Sequence, residues 1–155
     1  MHEFPQLQAI QQLGRTYRVF MSAFEANIGH SMPRWRILLN LYESGELSQK
    51  ELAQRVRSDP AALTRQIKAI EALGWVERHN DANDNRLTNV ALTEQGRQIV
   101  ADTLPRRTCF VQNAFGELSA DEVKALGKML RTLELHLLSD LASAAHPIER
   151  KQNQA

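Results

Sequence analysis

The chain has 155 residues, of which 43% are hydrophobic, enough for one folded domain with a buried core. Its 19 basic and 18 acidic residues leave a net charge of +1, so total charge does not single out any class of partner. No stretch approaches the roughly 20 apolar residues that span a membrane, and the first residues lack a signal-peptide pattern. We therefore expect a cytoplasmic protein without membrane contact.

The N-terminal part predicts two helices. Apolar residues recur at steps of three and four over residues 4–28, which favours one long helix ending at Gly29. Pro33 then stands near the start of a second helix over residues 34–43, because proline is tolerated in a first helical turn. Its Ile37, Leu38 and Leu41 are predicted core residues.

Two short helices follow in close succession. Ser48 and Glu51 form a capping box, with Leu47 placed to pack on Leu52 as a hydrophobic staple. The next start is the pair Asp59-Pro60, an N-cap acid before a proline at the first helical position. This second helix ends at Gly74, so the spacing predicts a helix-turn-helix.

The second of these helices has two different faces. A step of 100° per residue places Leu63, Ile67 and Ile70 on one stripe and small or basic residues on the other, namely Ala61, Arg65, Lys68 and Ala72. Such a face suits a DNA major groove, with Arg65 for a guanine edge and Lys68 for phosphate. The alternative is a merely solvated polar face.

A hairpin is predicted next, because short strands over residues 75–79 and 87–92 flank the polar loop of residues 80–86. After it, residues 93–115 read as a long helix, in which Pro105 is expected to cause a kink or the local loss of one backbone hydrogen bond. A second capping box, Ser119 with Glu122, opens a last helix rich in leucine. The tail from His146 is polar and is predicted to be frayed.

The helices at the two chain ends carry more leucine and phenylalanine than a small domain between them can cover. An interface with two-fold symmetry, built from both chain ends, would bury this surplus. The sequence therefore predicts a homodimer.

The ordered set Ser48-x-x-Glu51-Leu52-Ala53, Leu73-Gly74-x-Val76, Asp84-Asn85-Arg86 and Leu92-Thr93-Glu94-x-Gly96 resembles the MarR family of bacterial transcription regulators. The resemblance implies a mainly α fold with a small β-hairpin wing: a winged helix-turn-helix with N- and C-terminal dimerisation helices. It implies a single domain over residues 1–155, with a DNA-binding lobe at about 33–97 and dimerisation helices at about 4–29 and 98–145.

The resemblance also implies which residues meet double-stranded DNA at an inverted-repeat operator. The second helix of the helix-turn-helix would read the major groove, and the wing arginine, here Arg86, would enter the minor groove. Asp84 would hold that arginine or its loop in place. Many members carry a second basic residue between the aspartate and the arginine, whereas this chain has Asn85 at that position. The predicted DNA-binding residues are Ser48, Ala61, Ala62, Thr64, Arg65, Lys68, Asp84 and Arg86.

Family effectors commonly bind where the first helix, often from the partner subunit, meets the second helix and the DNA-binding lobe. The residues predicted to line this cleft are Arg15, Arg18, His30, Met32, Trp35 and Arg36. Arginines beside an indole suit a small aromatic carboxylate, such as a hydroxylated benzoate or nicotinate. The alternative is that these arginines form ion pairs between subunits.

No motif for catalysis or phosphate binding is present, and the five histidines are scattered, so we expect neither an enzyme nor a cofactor or metal site. Three functions remain open: a repressor released by a ligand, a constitutive DNA-binding regulator, and a protein-interaction module. Cys109, the single cysteine, is predicted to be a small, buried or half-buried apolar residue on a helix, with peroxide sensing as the alternative.

Overall fold

The computed structural model describes residues 4–144, and it is mostly helical with one small sheet. This confirms the predicted fold class. The tail from His146 lies outside the described residues. The elements in chain order are α1 (Pro5–Ile28), α2 (Met32–Ser44), β1 (Leu47–Ser48), α3 (Gln49–Val56), α4 (Pro60–Ala72), β2 (Val76–Asn80), β3 (Thr88–Leu92), α5 (Glu94–Ala114) and α6 (Ala120–Ala144).

The sheet has three antiparallel strands in the order β1-β3-β2, where two strands were predicted. The predicted hairpin is β2 with β3, with Val76 opposite Leu92 and Asn80 opposite Thr88. The additional strand is β1, whose Leu47 and Ser48 pair with Val90 and Asn89. Two residues are too few to show the alternation by which a strand is recognised in a sequence.

Side-chain caps begin the helices of the helix-turn-helix as predicted. The Ser48 hydroxyl accepts from the Glu51 amide, and the Glu51 carboxylate accepts from the Ser48 amide at 2.9 Å. The Asp59 carboxylate accepts from the Ala62 amide at 2.9 Å. Ser31 caps α2, so this helix begins at Met32, two residues before the predicted start. These caps satisfy amides that have no partner within their own helix.

The hydrophobic core lies among α2, α3, α4 and the sheet, and it includes the predicted Ile37, Leu38 and Leu41. Phe24 and Ile28 at the end of α1 complete it, together with Val100 of α5. The rings of Phe20, Phe24 and Phe110 pack together, with centroids 5.5–6.3 Å apart. Burial of these side chains holds the helix-turn-helix and the sheet in one body.

The chain forms two compact units, Met1–Val111 and Gln112–Ala155. In the first unit, α1 exposes much of its apolar stripe, from Leu7 to Tyr17. In the second unit, α6 has no buried residue. α5 runs through Pro105 as one helix. No helix within residues 4–144 is both long enough and apolar enough to cross a membrane.

Candidate nucleic-acid interface

The outer face of α4 carries small and basic side chains, as predicted. Leu63, Ile67 and Ile70 are buried against the core, whereas Ala61, Arg65, Lys68 and Ala72 are exposed. Because the apolar side of α4 is buried against the core, its opposite side faces solvent. The exposed face of α4 therefore carries small side chains at Ala61 and Ala72 and positive charges at Arg65 and Lys68.

Thr64 and Ser48 shape the helix-turn-helix through contacts of their own. The Thr64 hydroxyl donates to the Pro60 carbonyl at 2.9 Å and accepts from Nε2 of the Gln49 side chain at 3.2 Å, which links α4 to α3. The Ser48 hydroxyl donates to Glu51 Oε2 at 2.7 Å, and the residue is only 8% exposed. Both hydroxyls are therefore engaged within the protein.

The tip of the wing presents Arg86 to solvent. Residues 82–86 between β2 and β3 are all exposed. The Asp84 carboxylate accepts from the Arg86 amide at 3.0 Å, so Asp84 fixes the backbone of the arginine and leaves its side chain untouched. Within residues 4–144, neither Arg65 nor Arg86 has a hydrogen-bond or ion-pair partner for its guanidinium. Both cations are available for an external partner.

A cavity of about 210 Å³ lies between α1, α2 and the helix-turn-helix. Its lining combines aromatic, thioether and basic groups, including Tyr17, Met21, Met32, Arg36, Arg57 and Gln66. Of the predicted effector residues, only Met32 and Arg36 line it. The i,i+4 spacing of Tyr17 and Met21 placed them on one face of α1, but a helical stripe alone does not show which residues border a cavity.

The other predicted effector residues lie elsewhere. Arg15 and Arg18 are exposed on α1, where Arg15 donates to Gln12 at 3.0 Å. Trp35 is a core residue, 2% exposed, so its indole is not accessible to a ligand in this structure. His30 is half-buried with its ring 5.3 Å from that of Trp75. Burial lowers the pKa of His30 below the usual histidine range, and the guanidinium groups of Arg34 and Arg106 lower it further.

Cys109 is exposed on α5, so the prediction of a buried or half-buried cysteine was wrong. The apolar positions of a helix show its buried stripe only where another element covers that stripe. Within residues 4–144, no three histidine, cysteine, aspartate or glutamate side chains are grouped closely enough to hold a metal ion. The prominent chemistry of the described chain is therefore the basic surface of α4 and the wing, together with the cavity beside α1.

Known proteins are similar to this chain in both sequence and fold. A model of the MarR family matches residues 30–88. The uncharacterised HTH-type transcriptional regulator YdgJ of Bacillus subtilis (strain 168) is 35% identical over 119 residues, covering 77% of this chain and 73% of YdgJ. AbsC, a MarR family transcriptional regulator from Streptomyces coelicolor, superposes with a TM-score of 0.79 at 25% identity, over 90% of this chain and 99% of AbsC.

BpsR of Bordetella bronchiseptica superposes with a TM-score of 0.74 at 25% identity, over 82% of this chain and 98% of that one. The DNA binding of BpsR is regulated by 6-hydroxynicotinic acid.

Proposed function

The chain belongs to the MarR family of DNA-binding transcription regulators, and from this premise we propose that it is a homodimeric repressor released by a small aromatic carboxylate. The operator would be an inverted repeat in double-stranded DNA, because two-fold symmetry in a dimer calls for two-fold symmetry in its site. The observation that carries the proposal is a pair of exposed guanidinium groups, Arg65 on α4 and Arg86 on the wing, neither of which has a partner among residues 4–144.

In this proposal α4 lies in the major groove. Its exposed alanines, Ala61 and Ala72, let the helix backbone come close to the base edges. The Arg65 guanidinium then reaches guanine O6 and N7 with two parallel hydrogen bonds, the geometry that distinguishes guanine from other bases. Lys68 serves a phosphate, where it adds affinity without sequence preference.

Arg86 serves the minor groove beside the contacts of α4. The minor groove of A·T-rich DNA is narrow and strongly negative, so an arginine inserted there favours A·T flanks. The wing of this chain has Asn85 in place of a second cation, which leaves Arg86 as the cation of the Asp84-Asn85-Arg86 segment.

Substitution of the two arginines tests these assignments. We expect Arg65→Ala to lose about 1–3 kcal/mol of discrimination between operator and random DNA. Arg86→Ala should weaken binding most on operators with A·T flanks. Both effects are measurable by fluorescence anisotropy on operator and scrambled duplexes. Arg131→Ala, an exposed arginine on α6, is the matched control. Parent-like binding by both variants would contradict the assignments.

The effector part of the proposal rests on the cavity beside α1. A volume of about 210 Å³ suits a single substituted ring, and Arg36 and Arg57 supply cations beside Tyr17 and the methionines. An arginine binds a carboxylate through two hydrogen bonds while the aromatic and thioether groups contact the ring. Arg15 and Arg18 of the partner subunit would complete the site, because both are exposed on α1.

Release follows from linkage between ligand and DNA. A ligand lowers operator affinity only if it binds the DNA-incompetent arrangement of the protein more tightly than the competent one. With a typical coupling of 1–3 kcal/mol, saturating ligand weakens operator binding by roughly 5- to 150-fold.

The experiment uses hydroxylated benzoates and nicotinates, screened first by thermal shift and then by operator release. Arg36→Ala and Arg15→Ala should lose the response to the acid while retaining operator affinity, whereas Arg131→Ala should respond as the parent does. If no acid shifts the melting temperature and peroxide releases DNA from the parent but not from Cys109→Ser, the regulator senses oxidation. If neither agent releases DNA, the regulator is constitutive.

A further inference from the structure

The base of the wing holds a row of polar side chains across the three strands. Asn89 lies in the central strand β3, directly opposite His79 of β2 and Ser48 of β1. Residues directly opposite in antiparallel strands project on the same face of the sheet. The Asn89 side chain is therefore within reach of groups on both sides of the wing base.

The Asn89 amide joins two carboxylates that are distant in sequence. Its Nδ2 donates to Glu46 Oε1 at 2.9 Å and to Asp81 Oδ2 at 2.9 Å. An amide nitrogen has two hydrogens, so both of its donors are used. His79 Nε2 lies 3.1 Å from the same Glu46 oxygen. Glu46 lies in the connection between α2 and β1, just before the helix-turn-helix, and Asp81 begins the wing tip. The Asn89 side chain therefore links this connection to the wing.

The other oxygen of Asp81 organises the tip. Asp81 Oδ1 accepts from the amides of Asn83 at 2.8 Å and Asp84 at 3.0 Å. The Asp81 amide donates to the Leu87 carbonyl at 3.0 Å, which closes the loop that contains Arg86. The amide of Asn83 lowers the pKa of the Asp81 carboxyl, and the Asn89 side chain lowers it further, so the ionised acceptor is the stable form.

Polar contacts, and not apolar packing, hold the wing tip in place. Residues 82–86 are exposed, and Leu87 is only half-buried. A loop without apolar packing keeps one orientation only as far as its hydrogen bonds fix it. The path from Glu46 through Asn89 and Asp81 to the Asp84 amide therefore determines how the tip sits on the sheet.

We propose that Asn89 is a positioning residue for DNA reading: it ties the wing tip to Glu46 so that Arg86 meets the minor groove in register with α4. The inference rests on the proposed function, in which Arg86 contacts DNA. Asn89 itself acts through the tip and needs no contact with DNA. A loose tip would spread Arg86 over many positions, and the entropy of ordering it would then oppose binding.

Two variants remove the link from opposite ends. Asn89→Ala deletes the amide, and Glu46→Ala deletes its acceptor from outside the strands. Asn83→Ala is the matched control, because it truncates the same residue type at the tip and leaves the backbone amide that Asp81 accepts. Thermal unfolding confirms that each variant is folded.

Hydrogen exchange tests the tether without DNA. The amides of Asn83 and Asp84 should exchange about tenfold faster in Asn89→Ala, because Asp81, their acceptor, loses a charge-assisted hydrogen bond. Glu46→Ala keeps that bond and removes only the anchor of Asn89, so it should speed exchange by a smaller factor. Unchanged exchange at both amides would overturn the proposal, whatever the protein binds.

Operator binding tests the consequence. Asn89→Ala should weaken binding to an operator with A·T flanks about tenfold, an effect similar to that of Arg86→Ala, while Asn83→Ala binds as the parent does. In an Arg86→Ala background the Asn89 change should cost nothing further, since residues that act through one contact are not additive. Additive losses, or full affinity of Asn89→Ala on this operator, would overturn the proposal. Full affinity of Arg86→Ala would instead show that the proposed role of the wing is wrong.

Discussion

Gly96 stands where the first turn of α5 passes over the start of β2. A Cβ at this position would lie 1.9 Å from the Trp75 carbonyl oxygen and 3.1 Å from the side chain of Leu92. Thr93 holds the same crossing: its amide donates to the Trp75 carbonyl at 3.0 Å, and its hydroxyl accepts from the Gly96 amide at 3.0 Å. One close contact between the start of α5 and the start of β2 thus accounts for the Leu92-Thr93-x-x-Gly96 pattern.

Gly96→Ala should destabilise the protein by about 1–3 kcal/mol, because the methyl group meets backbone that cannot move without displacing β2. Urea unfolding measures the change. Gly127→Ala is the matched control on α6: nothing described lies within 4 Å of a Cβ added there, and the better helix propensity of alanine should raise stability by roughly 1 kcal/mol. Equal effects of the two substitutions would contradict the close contact at Gly96.

At the scale of the element, two helices begin with the same capping box in different surroundings. Ser48 and Glu51 start α3 within the helix-turn-helix, and Ser119 and Glu122 start the exposed α6. The hydroxyl of Ser48 donates to Glu51 Oε2 at 2.7 Å, and that of Ser119 donates to Glu122 Oε2 at 2.8 Å. Because the geometry of the two caps is alike, a difference in stability between their cap variants would reflect how much of the fold packs against each helix.

Ser48→Ala should cost about 1 kcal/mol of stability at neutral pH, because the cap of α3 is lost. The Ser48 hydroxyl, followed by its amide, lowers the pKa of the Glu51 carboxyl. A lowered folded pKa stabilises the protein above the unfolded pKa, and this contribution is lost as pH falls through the folded value. Stability should therefore fall less on acidification in Ser48→Ala than in the parent, as urea midpoints at neutral and at about pH 3 would show. Equal acid sensitivity would count against the cap.

For the whole molecule, we expect a second copy of the chain to cover the apolar surface of α1 and that of α6. Leu137 and Leu141 of α6 are 52% and 67% exposed, and Ile10 of α1 is 47% exposed. Full burial of a leucine side chain contributes about 1.5–3 kcal/mol, so a half-exposed leucine gains roughly half of that in an interface. Many such residues together are needed to offset the entropy lost in association. The family resemblance implies the same two-fold assembly.

Leu137→Glu should shift the protein from dimer to monomer at micromolar concentration, because a carboxylate buried in an apolar interface loses its hydration. Sedimentation velocity measures the shift. Lys128→Glu, at an exposed cation on the same helix, should leave the dimer intact. If the parent is a stable monomer at micromolar concentration, the dimer and the operator symmetry argued from it are both wrong. If it is a dimer that Leu137→Glu leaves intact, the interface lies elsewhere.

Patterns within short segments were enough to predict the helices, the capped starts of α3, α4 and α6, and the exposed face of α4. A cap acts on amides two or three residues away, and a helical stripe repeats every three to four residues, so both are contained in short segments. The starts at Ser48, Asp59 and Ser119 were all predictable for this reason. The strand pattern also predicted the hairpin, and the family resemblance added the assignment of Arg86 to the minor groove, which composition and spacing alone did not provide.

Contacts between segments far apart in the chain became visible only in the folded structure. β1 exists because two residues meet β3, a pairing that no pattern within Leu47–Ser48 could announce. Trp35 went into the core and Arg36 to the cavity, because the rotation of α2 about its axis is set by everything packed against it. Asn89 reaches Glu46 across 43 residues of sequence. Such contacts depend on where folded elements come together, which the sequence of a short segment does not specify.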